Sequence, residues 1–476
     1  MSLIDNNIIE SVFFEHIKRN FSFDPTTCQD TLFRRLSSFT IQHEECDIMV
    51  VNGYAGTGKT SAIGAYVRTL KEFEIKFKLM APTGRAAKVL AGYTGFPSLT
   101  IHKQIYRQKS SGDVMSKFTL DFNKSNDTVY IVDEASLISI DSPGSIFGSG
   151  NLLMDLVQYV RNGSGNKLIL IGDNAQLPPV MEEVSPALDR ECMSIFGEVD
   201  YLELSTVVRQ TEESGILHNA TIIRKIIESY DYSDISLKLD VKGFKDIENI
   251  TGGELIESLD DAFGRYGVED TVVLCRSNKR ANRYNNGIRA SVLSKEEQLC
   301  RGDKVMVVKN CYQFLDDVEE LDFIANGDVA ELMKIRNYEE RYGLHFADAV
   351  LSFPDYQDIE ISAKIILDTL QSESASLTQE QQQALYEGVY ADYDHLTTKK
   401  KRNKAVREDK YYNALQIKYA AAITCHKSQG GQWRCVFIDN PFWQDEFTSD
   451  DLKWLYTALT RGVEKVYLVN FPKTLF

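Results

Sequence analysis

Residues 53–60 read Gly-Tyr-Ala-Gly-Thr-Gly-Lys-Thr and fit the pattern G-x-x-x-x-G-K-[ST]. An apolar segment of strand length, 47–52, precedes them, and a helix-like run, 61–70, follows. That context constrains the chain strongly. A glycine-rich turn between strand and helix points its backbone N–H groups at anionic oxygens, at the positive end of the helix. The pattern therefore predicts a phosphate loop. Lys59 would reach the terminal phosphates, and the Thr60 hydroxyl would ligate a divalent cation.

With 476 residues the chain is too long for one ordinary core. It is 43% apolar and 26% charged, ordinary values for a soluble globular protein. No apolar run has the length of a membrane span. The start, MSLIDNNIIESVFFEHIKRN, has neither the basic beginning nor the apolar core of a secretory signal. The eight cysteines form no C-x-x-C pair, which fits reduced thiols and a cytoplasmic location. A net charge of −16 argues against a non-specific nucleic-acid coat, but a local groove can still be positive.

Seven apolar segments of strand length alternate with helical patterns: 47–52, 77–81, 128–132, 167–171, 271–275, 433–438 and 464–469. They are nearly continuously apolar, as strands covered on both faces are. Helices are expected at 59–72, 152–162, 215–229 and 278–290. The fold class is α/β, with one group of strands before about residue 205 and another after it. Two insertions interrupt it. Residues 103–127 are polar and irregular. Residues 328–410 combine strand-like pieces, a polar helix at 377–393 and a basic run from Lys399 to Arg407. The run reads as a solvated loop, with contact to a nucleic-acid backbone or an acidic partner as the sharper alternative.

The strand Tyr130-Ile131-Val132 ends in Asp133-Glu134-Ala135-Ser136. In a phosphate-loop enzyme the first acid would hold Mg²⁺ and the second would orient and deprotonate the attacking water. A later strand ends in Gly172-Asp173-Asn174-Ala175-Gln176-Leu177-Pro178-Pro179-Val180. Its stiff turn presents one amide, Gln176, which could sense the γ-phosphate; Pro178-Pro179 alone would also make such a turn.

Together these segments resemble the superfamily-one helicases of the RecD-like, phage Dda-like branch (superfamily 1B). GYAGTGKT resembles motif I, and Ala81–Ala87 (APTGRAA) motif Ia. Thr100-Ile101-His102 resembles motif Ib, DEAS motif II and GDNAQLPPV motif III. Leu204–Gln210 (LSTVVRQ) resembles motif IV, Ala422–Gly430 (AITCHKSQG) motif V and Leu455–Arg461 (LYTALTR) motif VI. Asp24–Gln29 (DPTTCQ) resembles the adenine-reading Q motif, although a helix cap at Asp24 or Thr26 is a rival. The resemblance runs in order over residues 24–470.

It implies two RecA-like domains with parallel sheets: 1A at 1–205, carrying 103–127 as the 1B pin insertion, and 2A at 206–327 and 411–476. An SH3-like 2B insertion with a helical, basic extension is implied at 328–410. ATP and Mg²⁺ are the implied cofactors. The implied catalytic residues are Lys59, Glu134, Gln176, Arg209 and Arg461. The nucleotide would be held by Gln29, Gly53, Ala55, Gly56, Thr57, Gly58, Lys59, Thr60, Gln176, Arg209, Gly430 and Arg461, and the metal by Thr60 and Asp133. For the strand, Pro82, Thr83, Thr100, His102, Phe118, Thr424 and His426 are implied. A lone histidine is otherwise more often structural. Phe118 and Phe122 could tip the pin or anchor it, since aromatics are usually buried.

The expected function is ATP-driven movement on single-stranded DNA, 5′ to 3′ by resemblance, with unwinding of duplex by a monomer. Single-stranded and forked DNA are the expected partners, with replication, recombination or repair proteins as further candidates and no membrane. An RNA helicase of the same superfamily and a partner-dependent motor subunit of a nuclease or recombination complex are the alternatives. A phosphate-loop ATPase without nucleic acid is more remote, given motifs Ia and V.

Overall fold

The computed structural model describes the chain except residues 1–2, 43–45, 109–117, 142–146, 209–212, 230–236, 312, 316–322 and 443–446. The first sheet comprises β1 (Ile48–Gly53), β2 (Lys76–Ala81), β3 (Ser98–Thr100), β6 (Thr128–Val132), β7 (Lys167–Gly172) and β8 (Val199–Leu204). Their spatial order is β3-β2-β6-β7-β1-β8, and every neighbouring pair is parallel. Continuous apolar strands give this sheet two buried faces. Met49, Val51, Ile131, Ile169 and Ile171 join one core, while Ile48, Val50, Tyr130, Val132 and Leu170 join another. Helices Leu3–Asn20 and Thr27–Ile41 extend the first core with Phe13, Ile17, Leu32, Phe33 and Leu36.

Between β3 and β6 stands a short antiparallel pair, β4 (Tyr106–Gln108) and β5 (Phe118–Leu120). The pair falls within residues 103–127, of which the 109–117 segment lies outside the described residues.

The second sheet has the parallel order β16-β10-β17-β18-β9. Its strands are β9 (Ile247–Ile250), β10 (Thr271–Cys275), β16 (Ala422–Thr424), β17 (Trp433–Asp439) and β18 (Gly462–Val469). The two α/β lobes are RecA-like. Between β10 and β16 the chain closes a five-stranded barrel from β11 (Lys304–Val307), β12 (Val329–Arg341), β13 (Leu344–Phe353), β14 (Ile359–Ile366) and β15 (Leu415–Tyr419). The barrel thus begins before residue 328 and ends after residue 410.

Between β14 and β15 a helical hairpin projects, Gln379–Asp392 and Lys399–Glu408. The basic run, expected as a loop, is a helix. Thr398 caps it by accepting the Lys401 N–H, and Val406 buries its inner face against Leu385 and Val389. Local repulsion among lysines loses to that packing, because helical stability in proteins comes mostly from a buried face.

Candidate nucleotide cleft and strand channel

In open parallel sheets, ligands bind beyond the carboxyl ends of the strands. The phosphate-loop residues follow β1 there, Asp133 and Glu134 follow β6, and Gln176 follows β7. One cleft is lined by Gln29, Ala55, Gly56, Gly58, Lys59, Thr60, Asp133, Glu134 and Gln176 from the first lobe and by Arg461 from the second. The loop's shape needs glycine at two positions. Gly56 and Gly58 have φ of 77° and 76°, and a Cβ on Gly58 would stand 2.7 Å from Gln29 Nε2. Lys59 folds back, donating to the carbonyls of Gly53 and of Tyr54, the latter at 3.1 Å. An anion in the loop would offer the ammonium a charged partner in place of two neutral carbonyls.

Burial, and then the charge of Glu134, pushes the Asp133 carboxyl up to about 6. Glu134 adopts the left-handed region with φ 54°, a strained geometry for a side chain with a Cβ. Its carboxylate faces the buried Arg461 guanidinium at 4.0 Å. Arg461 is otherwise held by the carbonyls of Thr457 and Gly431, both at 3.2 Å. Gln176 is buried, and its Oε1 has no hydrogen-bond partner. An orphaned acceptor beside two carboxylates suits a water or a metal-bound hydrate. The pair Thr60 and Asp133 suits Mg²⁺, which takes few protein ligands and completes its shell with phosphate and water.

Several expected nucleotide contacts differ in detail. Both ends of the Gln29 amide are engaged by the chain itself: Oε1 accepts the Thr26 N–H at 3.0 Å, and Nε2 donates to the Thr57 carbonyl at 3.0 Å. Thr26 is a helix N-cap in a reciprocal box with Gln29, as the rival reading had it. Gly53 and Thr57 shape the loop without lining the cleft. Gly430 is a correction: it packs on the motif Ia helix, where a Cβ would meet Thr83 Oγ1 and Ala86 Cβ at 3.0 Å, and it does not line the cleft. Arg209 lies outside the described residues; its neighbour Val208 lines the cleft and donates its N–H to the Gly56 carbonyl at 2.9 Å.

A second cavity runs between the lobes and the barrel. Pro82, Thr83, Thr100 and His102 line it from the first lobe, His426 and Lys427 from the second, and Asn326 to Val329 from the barrel. Thr424 and His426 line an adjoining cavity. Thr83 and Thr100 use their oxygens as helix caps, accepting N–H groups at 3.2 and 3.1 Å, which leaves each hydroxyl proton to donate. The Thr424 side chain makes no cap bond. His102 lies 4.7 Å from Phe147 and 5.7 Å from Tyr106, and burial pushes its imidazole down to about 4. Phe118 is the second correction. It is buried against Phe147 and Phe323 as an anchor, while Phe122 is exposed.

Four contributors escaped the sequence reading. The Tyr456 hydroxyl accepts the Ala55 N–H at 2.9 Å and donates to Asp173 at 2.7 Å. Thr457 accepts the Leu177 N–H at 2.8 Å. Gln429 donates to the Leu177 carbonyl at 2.6 Å. Lys427, half-buried between both cavities, donates to Asn326. All four lie in motifs V and VI, but their partners sit between 101 and 401 residues away along the chain.

The family described as AAA domain matches residues 39–225, and the UvrD-like helicase C-terminal domain matches residues 419–469. The first takes in Lys59, Asp133, Glu134 and Gln176 of the cleft, and the second takes in Arg461. Each model covers less than half of the chain, which thus resembles the superfamily-one helicases of the RecD type. The ATP-dependent RecD2 DNA helicase of Deinococcus radiodurans is 28% identical over 36% of this chain. An uncharacterized protein of Methanocaldococcus jannaschii is 23% identical over 88% of it. The chain spans only 21% and 36% of the length of these two relatives. Among solved structures, the Pif1 helicase from Candida albicans is 15% identical with a TM-score of 0.44, covering 95% of this chain and 96% of that one. The Bacteroides Pif1 bound to ssDNA is 17% identical with a TM-score of 0.41, covering 94% and 92%. The RecA-like character of the two lobes rests on their own parallel sheets and the motifs at the strand ends.

Proposed function

We propose that the chain is an ATP-dependent DNA helicase that moves on single-stranded DNA and separates duplex. The observation that carries this is the shared cleft. Lys59, Asp133, Glu134 and Gln176 come from one lobe and Arg461 from the other, beside a channel lined by both. Bound with Mg²⁺ on Thr60 and Asp133, ATP would supply the phosphoryl group whose loss releases the lobes. Glu134 positions and deprotonates the water. Gln176 orients that water or the γ-phosphate. Arg461 meets the charge that grows on the equatorial oxygens. Closing the cleft on ATP and opening it after hydrolysis changes the spacing of the channel walls, which is how chemistry becomes a step. Hydroxyls and rings in that channel hold backbone and stacked bases without reading sequence.

The 5′-to-3′ direction is part of the proposal, and the motif resemblance alone supports it. DNA is favoured over RNA on the same ground. The test is ATPase activity with and without single-stranded DNA or RNA, followed by unwinding of duplexes with a 5′ or a 3′ tail. Strong stimulation by DNA of any sequence and unwinding from the 5′ tail are expected. Equal rates with and without either nucleic acid would refute the motor. In the same assay Glu134→Gln should bind ATP normally and turn over about 10²–10⁴ times more slowly, the span of general-base catalysis.

A further inference from the structure

Residues 399–410 hold seven cations and two carboxylates in a chain of net charge −16. On the helix Lys399–Glu408, the residues Lys400, Lys404 and Arg407 follow the spacing i, i+4, i+7 and form one stripe. That stripe points away from Val406, which is buried in the hairpin core. Arg402, on the inner side, is committed to the fold: it donates to the Tyr390 carbonyl at 2.9 Å, stacks 4.0 Å over that ring and pairs with Asp394. The outer cations are not so committed. Lys404 has one loose pair with Glu408 at 3.6 Å, and among the described residues Lys399, Lys400 and Lys401 have no ion-pair partner.

The positive surface continues onto the barrel. Lys410, two residues past the helix, lines a shallow hollow on the outer wall with Lys334, Arg336, Asp348 and Lys364. The strand register sets Lys334 beside Val350 and Ser362, and Arg336 beside Asp348 and Lys364. Buried Lys364 already holds the nearby acids, Asp348 at 2.5 Å and Glu339 at 2.7 Å. Among the described residues Lys334 and Arg336 are thus left exposed without an ion-pair partner of their own. On the channel side a row with Glu331, Ser352 and Glu360 separates this surface from the strand channel. The basic surface is therefore a region apart from the channel.

We propose that this surface, Lys400, Lys404 and Arg407 on the hairpin with Lys410, Lys334 and Arg336 on the barrel, binds the phosphate backbone of nucleic acid outside the strand channel. The helix stripe rises about 10 Å from Lys400 to Arg407. Phosphates of one strand advance about 3.4 Å along the duplex axis, so the stripe meets about three of them. The proposal rests on the DNA-motor reading and adds a second, sequence-independent hold on the fork. The phosphates could belong to the duplex arm or to the single strand beyond the channel.

The experiment compares the full chain with its K400Q/K404Q/R407Q variant. Binding to a tailed duplex and to the tail strand alone is measured across salt concentrations, alongside ATPase rates. Basal ATPase should be unchanged. The slope of log K against log salt should fall by about 2–3 on the tailed duplex, since each phosphate contact contributes close to one. A fall on the tailed duplex only places the duplex arm there. A fall on both substrates places the single strand there. Unchanged affinity and slope on both would overturn the proposal, and binding of an acidic peptide in their place would assign the surface to a protein. If the unmodified chain shows no DNA-stimulated ATPase, it is the motor reading that fails.

Discussion

In the nucleotide cleft, charge faces charge. Lys59, Asp133, Glu134 and Arg461 converge, and Arg461 stands 4.0 Å from Glu134 across the lobes. In the channel, burial drives the ionisable groups toward neutrality. His102 is pushed down to about 4, Lys427 down to about 8 and Asp328 up to about 7. Tyr356 donates to both Asp328 oxygens at 3.0 Å. The contrast fits the tasks proposed for the two regions. A phosphoryl transition state has a fixed place and a growing charge, so preorganised opposite charges are effective there. A translocating strand must be released at each step, so strong fixed pairs along its path would hold it back.

The largest expected effect would break the cleft's side of this comparison. Arg461→Ala should lower kcat by about 10³–10⁵, as loss of a transition-state arginine does. KM for ATP should change far less. Lys59→Ala should abolish turnover while the thermal transition stays within a few degrees. If Arg461→Ala raises KM and spares kcat, Arg461 is a ground-state contact and the opposed charges are only structural.

A contact between the lobes comes next in size. Tyr456 ties the phosphate loop, through the Ala55 N–H, to buried Asp173 within motif III. Tyr456→Phe leaves Asp173 short of a donor and should cost about 1–3 kcal/mol of stability. The sharper readout is kinetic: DNA stimulation of ATPase should shrink more than the basal rate. Equal loss in both would make Tyr456 a packing residue with no part in coupling.

How much of this was legible beforehand depended on distance along the chain. The phosphate loop, the strand Thr128–Val132 with its two acids and the helix Gly215–Ser229 all declare themselves locally, through period and composition. Strand Ile247–Ile250 did not, because four residues with an exposed Glu248 carry too little pattern. Phe118 was ambiguous, since its partners Phe147 and Phe323 come from other segments. Gln29 kept its place at the cleft, but its amide caps a helix and holds Thr57, a tertiary arrangement that no local pattern records.

The smallest effect tests, through pH, how readily the channel gives up its charge. Lys427 is the group to follow, because its depressed value of about 8 falls within reach of an ordinary titration. Phosphate beside it would favour the charged form, so its value in the complex must rise above that of the free protein. Binding then takes up a proton when the pH exceeds about 8. Affinity for single-stranded DNA should therefore be flat between pH 6.5 and 7.5 and should weaken as pH climbs from 8 to 9.5, by up to about tenfold per pH unit for one proton. Lys427→Gln should remove that dependence and lower affinity at pH 7. His102 should give the opposite result. Its ring is neutral well below pH 6 and sits among Tyr106 and Phe147, so His102→Asn should leave the pH profile between 5.5 and 8 as it was. A gain in affinity below pH 6.5 that disappears in His102→Asn would mean the imidazole is protonated against phosphate. The channel would then hold phosphate with a second cation beside Lys427.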